Sequence, residues 1–327
     1  MSRGWIDVHH HAYHPPLIAE LRRRGVTHMA PGVPLPAWTA TEALRVMDGS
    51  GIRAAVLSVL LPGDALQQDV APLVRDINTW SAEVVREHPG RFAALASLPL
   101  PDVEASLAEI EYALDVLGLD GVVLSTSLPD GRYLGDPAFD RVFAELNDRG
   151  AVVFVHPNPS SRCSCAGGPG FASAVPPPLV DFVMDTARAV ANMLFGGTLS
   201  RNPDIRFILA HAGGVVPFLS WRLELAGTWV LPDAGVDVPG ELRRLYYETA
   251  QSASPATLAC LREVTGDRNI LFGTDYPFMN DTVVAATRRH LEDVAGLDLT
   301  GNALALFPRL AGGTDARQRG AADAAHL

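Results

Sequence analysis

The sequence predicts an α/β fold, a (β/α)8 TIM barrel with extended loops at its C-terminal face. Three observations carry that expectation. Eight short β-branched runs recur along the chain, amphipathic segments separate them, and the series covers about 275 residues, close to the ~250 of a typical barrel. Several runs are continuously apolar rather than alternating, as parallel strands covered on both faces require. A doubly wound open sheet is the rival, but no G-x-G-x-x-G fingerprint follows the first run.

The expected strands, in order, are Trp5–His9, Arg53–Val59, Phe92–Leu98, Gly121–Ser125, Ala151–His156, Arg206–His211, Leu245–Thr249 and Asn269–Thr274. Between them Val74–Glu87, Val103–Leu117 and Pro137–Arg149 have helical periodicity. Asp102 stands where an N-cap is needed, and Gly118 where that helix should stop. Two stretches exceed a minimal barrel: Pro31–Trp38 after the first strand, and Asn158–Pro178 after the fifth, which is rich in Pro, Gly, Ser and Cys. Both are expected to overhang the catalytic face, where long loops carry function. Residues 1–311 then form one barrel domain, and the small, Ala-rich 312–327 a flexible tail.

Composition narrows the partners. The 327 residues are 48% hydrophobic and 19% charged, with 26 basic against 37 acidic residues and a net charge of −11, so neither nucleic acid nor an anionic membrane is an expected partner. All 26 basic residues are Arg, which excludes Schiff-base chemistry, a phosphate-loop lysine and a carbamylated lysine bridging two metals. Met1–Asp7 has no basic segment leading into an apolar core, and three cysteines make no disulfide framework, so a cytoplasmic location is expected.

Polar residues cluster where the strands end. In Ile6-Asp7-Val8-His9-His10-His11, strand alternation points His9 and His11 one way and His10 the other, half of a metal site. His156 closes the fifth strand, His211 the sixth and Asp275 the eighth, so all of them converge on one barrel mouth. Simpler readings hold elsewhere. Cys163 and Cys165 are spaced too tightly for a zinc ribbon and read as free loop thiols. Arg22-Arg23-Arg24 reads as an exposed helix end, and His14 as a residue near the substrate.

The D-x-H-x-H segment, the strand-ending His156 and His211, and Gly273-Thr274-Asp275-Tyr276-Pro277 resemble the amidohydrolase superfamily. More closely they resemble its branch of aminocarboxymuconate-semialdehyde decarboxylases and aromatic-acid decarboxylases. Met47-Asp48-Gly49-Ser50-Gly51-Ile52 is similar to that branch's M-D-x-x-G-[IV] segment, and Pro89-Gly90-Arg91-Phe92 to its P-x-R-[FI] segment. His211-Ala212-Gly213-Gly214, with Arg222 eleven residues on, is similar to its H-x-G-G…R stretch. The resemblance implies that His9, His11, His156 and Asp275 bind one divalent metal, zinc in the first place and manganese as the alternative, with no organic cofactor. His211 would move a proton or position the substrate. The end of the fourth strand, Ser125-Thr126-Ser127, holds no bridging lysine, in keeping with one metal rather than two.

The implied reaction is non-oxidative decarboxylation of a small aromatic or polyketide-derived acid of the salicylate or hydroxybenzoate type. A metal chelating carboxylate and neighbouring hydroxyl fixes the geometry, and Asp275 or His211 delivers the proton to carbon. The runner-up is a mononuclear metal hydrolase of an amide, lactone or cyclic ester; an inactive relative kept for binding is a third reading. Arg222, at a family position that reaches across a dimer in some relatives, and Arg188 are candidates to hold a substrate carboxylate. Tyr13, Trp38 and Phe278 are candidate walls of an aromatic pocket, and a homodimer is expected.

Overall fold

Apolar residues on the predicted strands belong alternately to two separate clusters. Ile6, Val8, Ala54, Val56, Ala93, Leu95, Val123, Val152, Phe154, Ile208, Ala210 and Leu271 pack into one core. Their strand neighbours, including Ala55, Leu57, Ala94, Val122, Val153, Val155, Phe207 and Tyr247, pack into another with the helices. The first core is the barrel interior, and the second is the layer between sheet and helices. With both faces buried, the strands have no polar side to alternate with.

The computed structural model describes residues 4–30, 33–62, 70–128, 130–157, 176–292 and 294–312. Its barrel strands are β1 (Trp5–His11), β2 (Ile52–Ser58), β3 (Phe92–Ala94, resuming as Ala96–Ser97), β4 (Val122–Ser125), β5 (Val152–His156), β6 (Arg206–Leu209), β7 (Tyr246–Glu248) and β8 (Ile270–Leu271). Each pairs in parallel with the next. The residues after β8 return to β1: Val8 N donates to Phe272 O at 2.9 Å, Asp275 N to His9 O at 2.9 Å, and His11 N to Tyr276 O at 2.7 Å. These bonds bring the eighth strand beside the first, as a barrel demands. Phe307 and Leu310, following the helix Leu299–Leu306, belong to the interior core and cover its lower end.

Boundaries depart from expectation where hydrogen bonding changes hands. β1 runs to His11, two residues further than predicted, because His10 pairs with Leu57 and His11 with Ser58. β8 is a regular ladder only over Ile270–Leu271; the expected remainder to Thr274 bonds to β1 and to Asp7 instead. The predicted helix after β3 forms as Val103–Ile110 and continues as a π-helical turn over Glu111–Val116. Asp102 caps it, its carboxylate accepting from Ala105 N at 3.0 Å, and Gly118 takes a left-handed φ of 67° just beyond. Within the predicted Pro31–Trp38 loop, Val33–Pro34 pairs antiparallel with His28–Ala30. Residues 31–32, the 158–175 part of the long loop with Cys163 and Cys165, and the tail from 313 onward lie outside the described residues. No described helix is long and apolar enough to cross a membrane.

Candidate metal centre and active site

Strand alternation carried one step past the core generates the site. Phe154 faces inward, so His156 does too; Tyr246 leads in the same way to Glu248, and Val56 to Ser58. β1 needs an extra device, since Val8 already occupies the interior. Asp7 pairs with Ala55 and His10 with Leu57, a bulge that sets three residues of β1 against two of β2. The bulge lets His9 face inward as well, 5.0 Å from the Phe154 ring between centroids. His11 follows it, and His10 turns outward against Tyr276.

Four predicted ligands meet there. One donor atom each from His9, His11, His156 and Asp275 lie within 4.8 Å of one another, and all four residues are buried. His9 Nε2 and His11 Nε2 face each other at 3.0 Å, with Asp275 Oδ1 at 3.3 and 3.2 Å from them. Their outer nitrogens are already committed: His9 Nδ1 donates to Glu248 Oε1 at 2.8 Å, and His11 Nδ1 to Ser58 Oγ at 3.0 Å. With the rings neutral, each Nε2 therefore presents a lone pair to the same point. Both ring nitrogens of buried His156 lack a hydrogen-bond partner. Three converging imidazoles and one carboxylate fit a divalent cation.

Charge balance agrees. Burial raises the Glu248 and Asp275 carboxyls, but His9 beside both outweighs it and keeps them below their ordinary values. Burial opposes charging His9 in turn, and the two carboxylates drive its pKa up to about 10. Burial lowers His11 to about 4, and burial with the neighbouring imidazoles takes His156 well below its usual value. The site thus holds two buried carboxylates with the His9 proton between them, a position where a divalent ion would replace that proton and neutralise both.

Glu248 is a residue of the candidate site that the sequence reading missed. It is fully buried and accepts from His9, from His211 N at 2.5 Å and from Ala250 N at 2.6 Å. The available signal was an acid inside an otherwise apolar strand end, Tyr247-Glu248-Thr249. Gly273 exists for it: a Cβ there would overlap the Glu248 carboxylate and lie 2.8 Å from His9 Cβ. Gln251, also unforeseen, donates to Asp275 Oδ2 at 2.6 Å. Asp7 ties β1 to the segment after β8, accepting from Thr274 N at 3.0 Å and Thr274 Oγ1 at 2.6 Å. His211, Ala212, Gln251 and Asp275 are the non-glycine residues with left-handed φ among those described, and all sit at this mouth.

A cavity of about 500 Å³ opens above this floor, lined at its base by His156, His211, Gln251 and Asp275. His211 stands 5.0 Å from His9 and 5.6 Å from His156 between ring centroids, with Nδ1 3.3 Å from Ala250 O. Phe278 lines the cavity and packs its edge on His11 at 5.5 Å. Tyr13 lies behind Phe278, buried, its hydroxyl without a partner. Trp38 is placed elsewhere: it packs on Trp80 and Phe92 in the helix layer and is not a cavity wall. His14 likewise packs on Trp80, 3.6 Å from Asp76. Arg188 and Arg222 are exposed and line no part of the cavity within one chain. On the helix Pro177–Phe195 the inward positions around Arg188 are filled by Asp185, Ala187, Ala189 and Val190, which leaves Arg188 the outer face. Arg222 lies on the outer helix Val216–Leu225, between exposed Phe218 and Trp221 on one side and Leu225 on the other.

Known proteins are similar to this chain in sequence and fold. The chain is 34% identical to the 6-methylsalicylic acid decarboxylase of Penicillium expansum, over 94% of this chain and 97% of that protein. It is 30% identical to the 2-amino-3-carboxymuconate-6-semialdehyde decarboxylase of Dictyostelium discoideum, over 74% of this chain and 67% of that one. A crystal structure of an amidohydrolase II superposes with a TM-score of 0.82 at 28% identity, covering 94% of this chain and 99% of that one. A dihydroxybenzoic acid decarboxylase from Polaromonas, crystallised with manganese and an inhibitor, has the same fold with a TM-score of 0.73 at 22% identity, covering 93% and 97%. The profile of the family described as Amidohydrolase matches residues 6–309. A match of that extent, with decarboxylases among the relatives, makes this chain a member of the amidohydrolase family in its decarboxylase branch.

Proposed function

We propose that the chain is a metal-dependent carboxy-lyase that releases CO2 from a small hydroxybenzoate-type acid. The observation that carries this is the buried cluster of His9, His11, His156 and Asp275 at the base of the cavity. The same donors would serve a hydrolase; the similarity to a 6-methylsalicylic acid decarboxylase over 94% of this chain favours CO2 loss.

His9, His11, His156 and Asp275 would hold the ion, with Glu248 and Ser58 fixing the tautomers of the first two. The bound cation would supply positive charge to anchor the carboxylate beside its neighbouring hydroxyl and to stabilise phenolate charge. The chain's remaining task is the proton. Loss of CO2 leaves an electron pair on the ring carbon, and protonating that carbon first makes the departure possible. Two groups border the cavity in position to hold the proton, His211 and Asp275. With His211 Nδ1 donating to Ala250 O, its Nε2 is left to exchange a proton with the substrate. Gln251 holds Asp275 Oδ2, which fixes the carboxylate while Oδ1 faces the histidines.

The ion we propose is zinc, supported by a donor set rich in imidazole, with manganese as the alternative. Elemental analysis of untagged protein tests this together with the reaction: about one metal per chain and CO2 from hydroxybenzoates are the expected results. No metal after reconstitution would sink the reading. Replacing His211 with Asn should keep the metal and lower kcat by about 10²–10⁴-fold; near-normal turnover would remove His211 from the chemistry.

Homodimerisation and a cytoplasmic location belong to the same reading. Phe218, Trp221, Trp229 and Val230 are 64–83% exposed, an apolar surface around Arg222 suited to a second copy. Trp221→Glu should shift a dimer toward monomer in sedimentation, and a wild-type monomer with full activity would refute the dimer. Fractionation of the producing cell tests the location.

A further inference from the structure

Among the described residues that line the cavity, the polar side chains are those of the site, His156, His211, Gln251 and Asp275, whereas the others, Met29, Val33, Pro34, Phe182, Met279 and the exposed Leu179 among them, are apolar. These apolar residues come from three places: the hairpin after β1, the start of the helix Pro177–Phe195, and the turn after β8. Among the described lining residues no arginine and no acid other than Asp275 appears. Among those residues, the carboxylate and its neighbouring hydroxyl have polar partners at His156, His211, Gln251 and Asp275. Whatever extends from the opposite edge of the ring must enter the apolar part.

Size points the same way. A cavity of about 500 Å³ lies inside the ~300–1,000 Å³ range of sites that enclose drug-sized ligands, and an unsubstituted single-ring acid would leave much of it to water. A hydroxyl placed against Val33, Phe182 or Met279 would lose its hydration without gaining a partner. An alkyl group there would gain by burial. Resting on the decarboxylase reading above, we propose that the preferred substrate is a 2-hydroxybenzoate with an alkyl chain of roughly three to five carbons on the ring edge remote from the carboxylate and hydroxyl. In salicylate numbering that edge is C4 and C5. Met29, Val33, Leu179, Phe182 and Met279 are then the specificity-determining residues.

The test uses the metal-loaded full chain with salicylate and its 4- and 5-methyl, propyl and pentyl derivatives. KM should fall about three- to fourfold per added methylene up to propyl, with kcat changing little, because remote burial is felt alike in ground and transition states. Calorimetric binding of the corresponding 3- and 4-alkylphenols should tighten in the same progression. Phe182→Asp should drive the propyl-to-unsubstituted ratio of kcat/KM down toward one. A KM that is flat or rises with chain length, while salicylate itself releases CO2, overturns the proposal and leaves the reaction standing. If no acid in the series loses CO2, the decarboxylase reading fails, and the alkylphenol series still decides the pocket: tightening supports it, a flat series overturns it. An unchanged propyl preference in Phe182→Asp overturns the assignment of the walls.

Discussion

Glu248 touches no cavity, yet two residues of the floor depend on it. Its Oε1 takes the His9 Nδ1 proton and the His211 backbone N–H, and its Oε2 takes the Ala250 N–H, so one carboxylate orients His9 and pins the turn that carries His211. Glu248→Gln preserves the shape, removes a charge and can present its amide nitrogen to His9, which would invert that tautomer. The expected result is a 10- to 100-fold loss of metal affinity with the fold retained, measured by competition with a chromophoric chelator; unchanged affinity would reduce Glu248 to a packing residue. The four proposed ligands were legible in the sequence because polar residues at strand ends stand out against apolar runs. Glu248 was not, because a lone acid beside Tyr247 resembles a strand edge reaching solvent, and only the inward parity of Tyr246 and Glu248 reveals otherwise. Gln251 left no signal at all: its role depends on a left-handed backbone, φ 56°, which nothing in Ala250-Gln251-Ser252 announces.

At the scale of elements, β1 is decisive. Simple alternation correctly separates His10 from His9 and His11, but for an incomplete reason: without the bulge, His9 would share the outward face of Asp7. Sequence periodicity sees parity within a strand and is blind to a residue inserted against the partner, so the bulge could only emerge from the pairing of β1 with β2. The outward face explains the third histidine. His10 Nδ1 donates to Asp7 Oδ2 at 3.0 Å, and Asp7 in turn holds Thr274. His10→Ala should therefore leave metal stoichiometry unchanged and destabilise the protein by about 1–3 kcal/mol through lost packing on Tyr276 and a less satisfied Asp7. Chemical denaturation and metal analysis of one preparation check both halves. Loss of metal would mean that His10, rather than His9 or His11, faces the interior. The continuously apolar strands are easier to locate, since burial on both faces writes the same pattern whatever the register; their ends are less legible, as at β8, where the ladder passes to β1.

For the whole molecule, the barrel gathers two carboxylates into its interior and leaves their charge to be balanced. In the absence of metal, the His9 proton does that. Burial disfavours that proton, but Glu248 and Asp275 hold the pKa at about 10 against an ordinary 6.5. A histidine whose folded-state pKa is raised contributes stability that is complete below its unfolded value and disappears as pH rises through the folded one. Metal-free protein should accordingly lose stability progressively between about pH 6.5 and 10, as His9 deprotonates and both acids lose their counter-charge. A divalent ion replaces that proton with a fixed charge and adds stability by preferential binding to the folded state. Loaded protein should therefore melt higher than chelator-treated protein, and the gap should widen from pH 6.5 to 9.5. The widening has the sign expected when metal and proton compete for the same imidazole: apparent metal affinity rises with pH because less work is spent displacing the His9 proton. Paired thermal melts across that range decide the matter. Parallel curves for the two forms would show that His9 is neutral before the metal arrives, and that the two carboxylates are balanced by some other group.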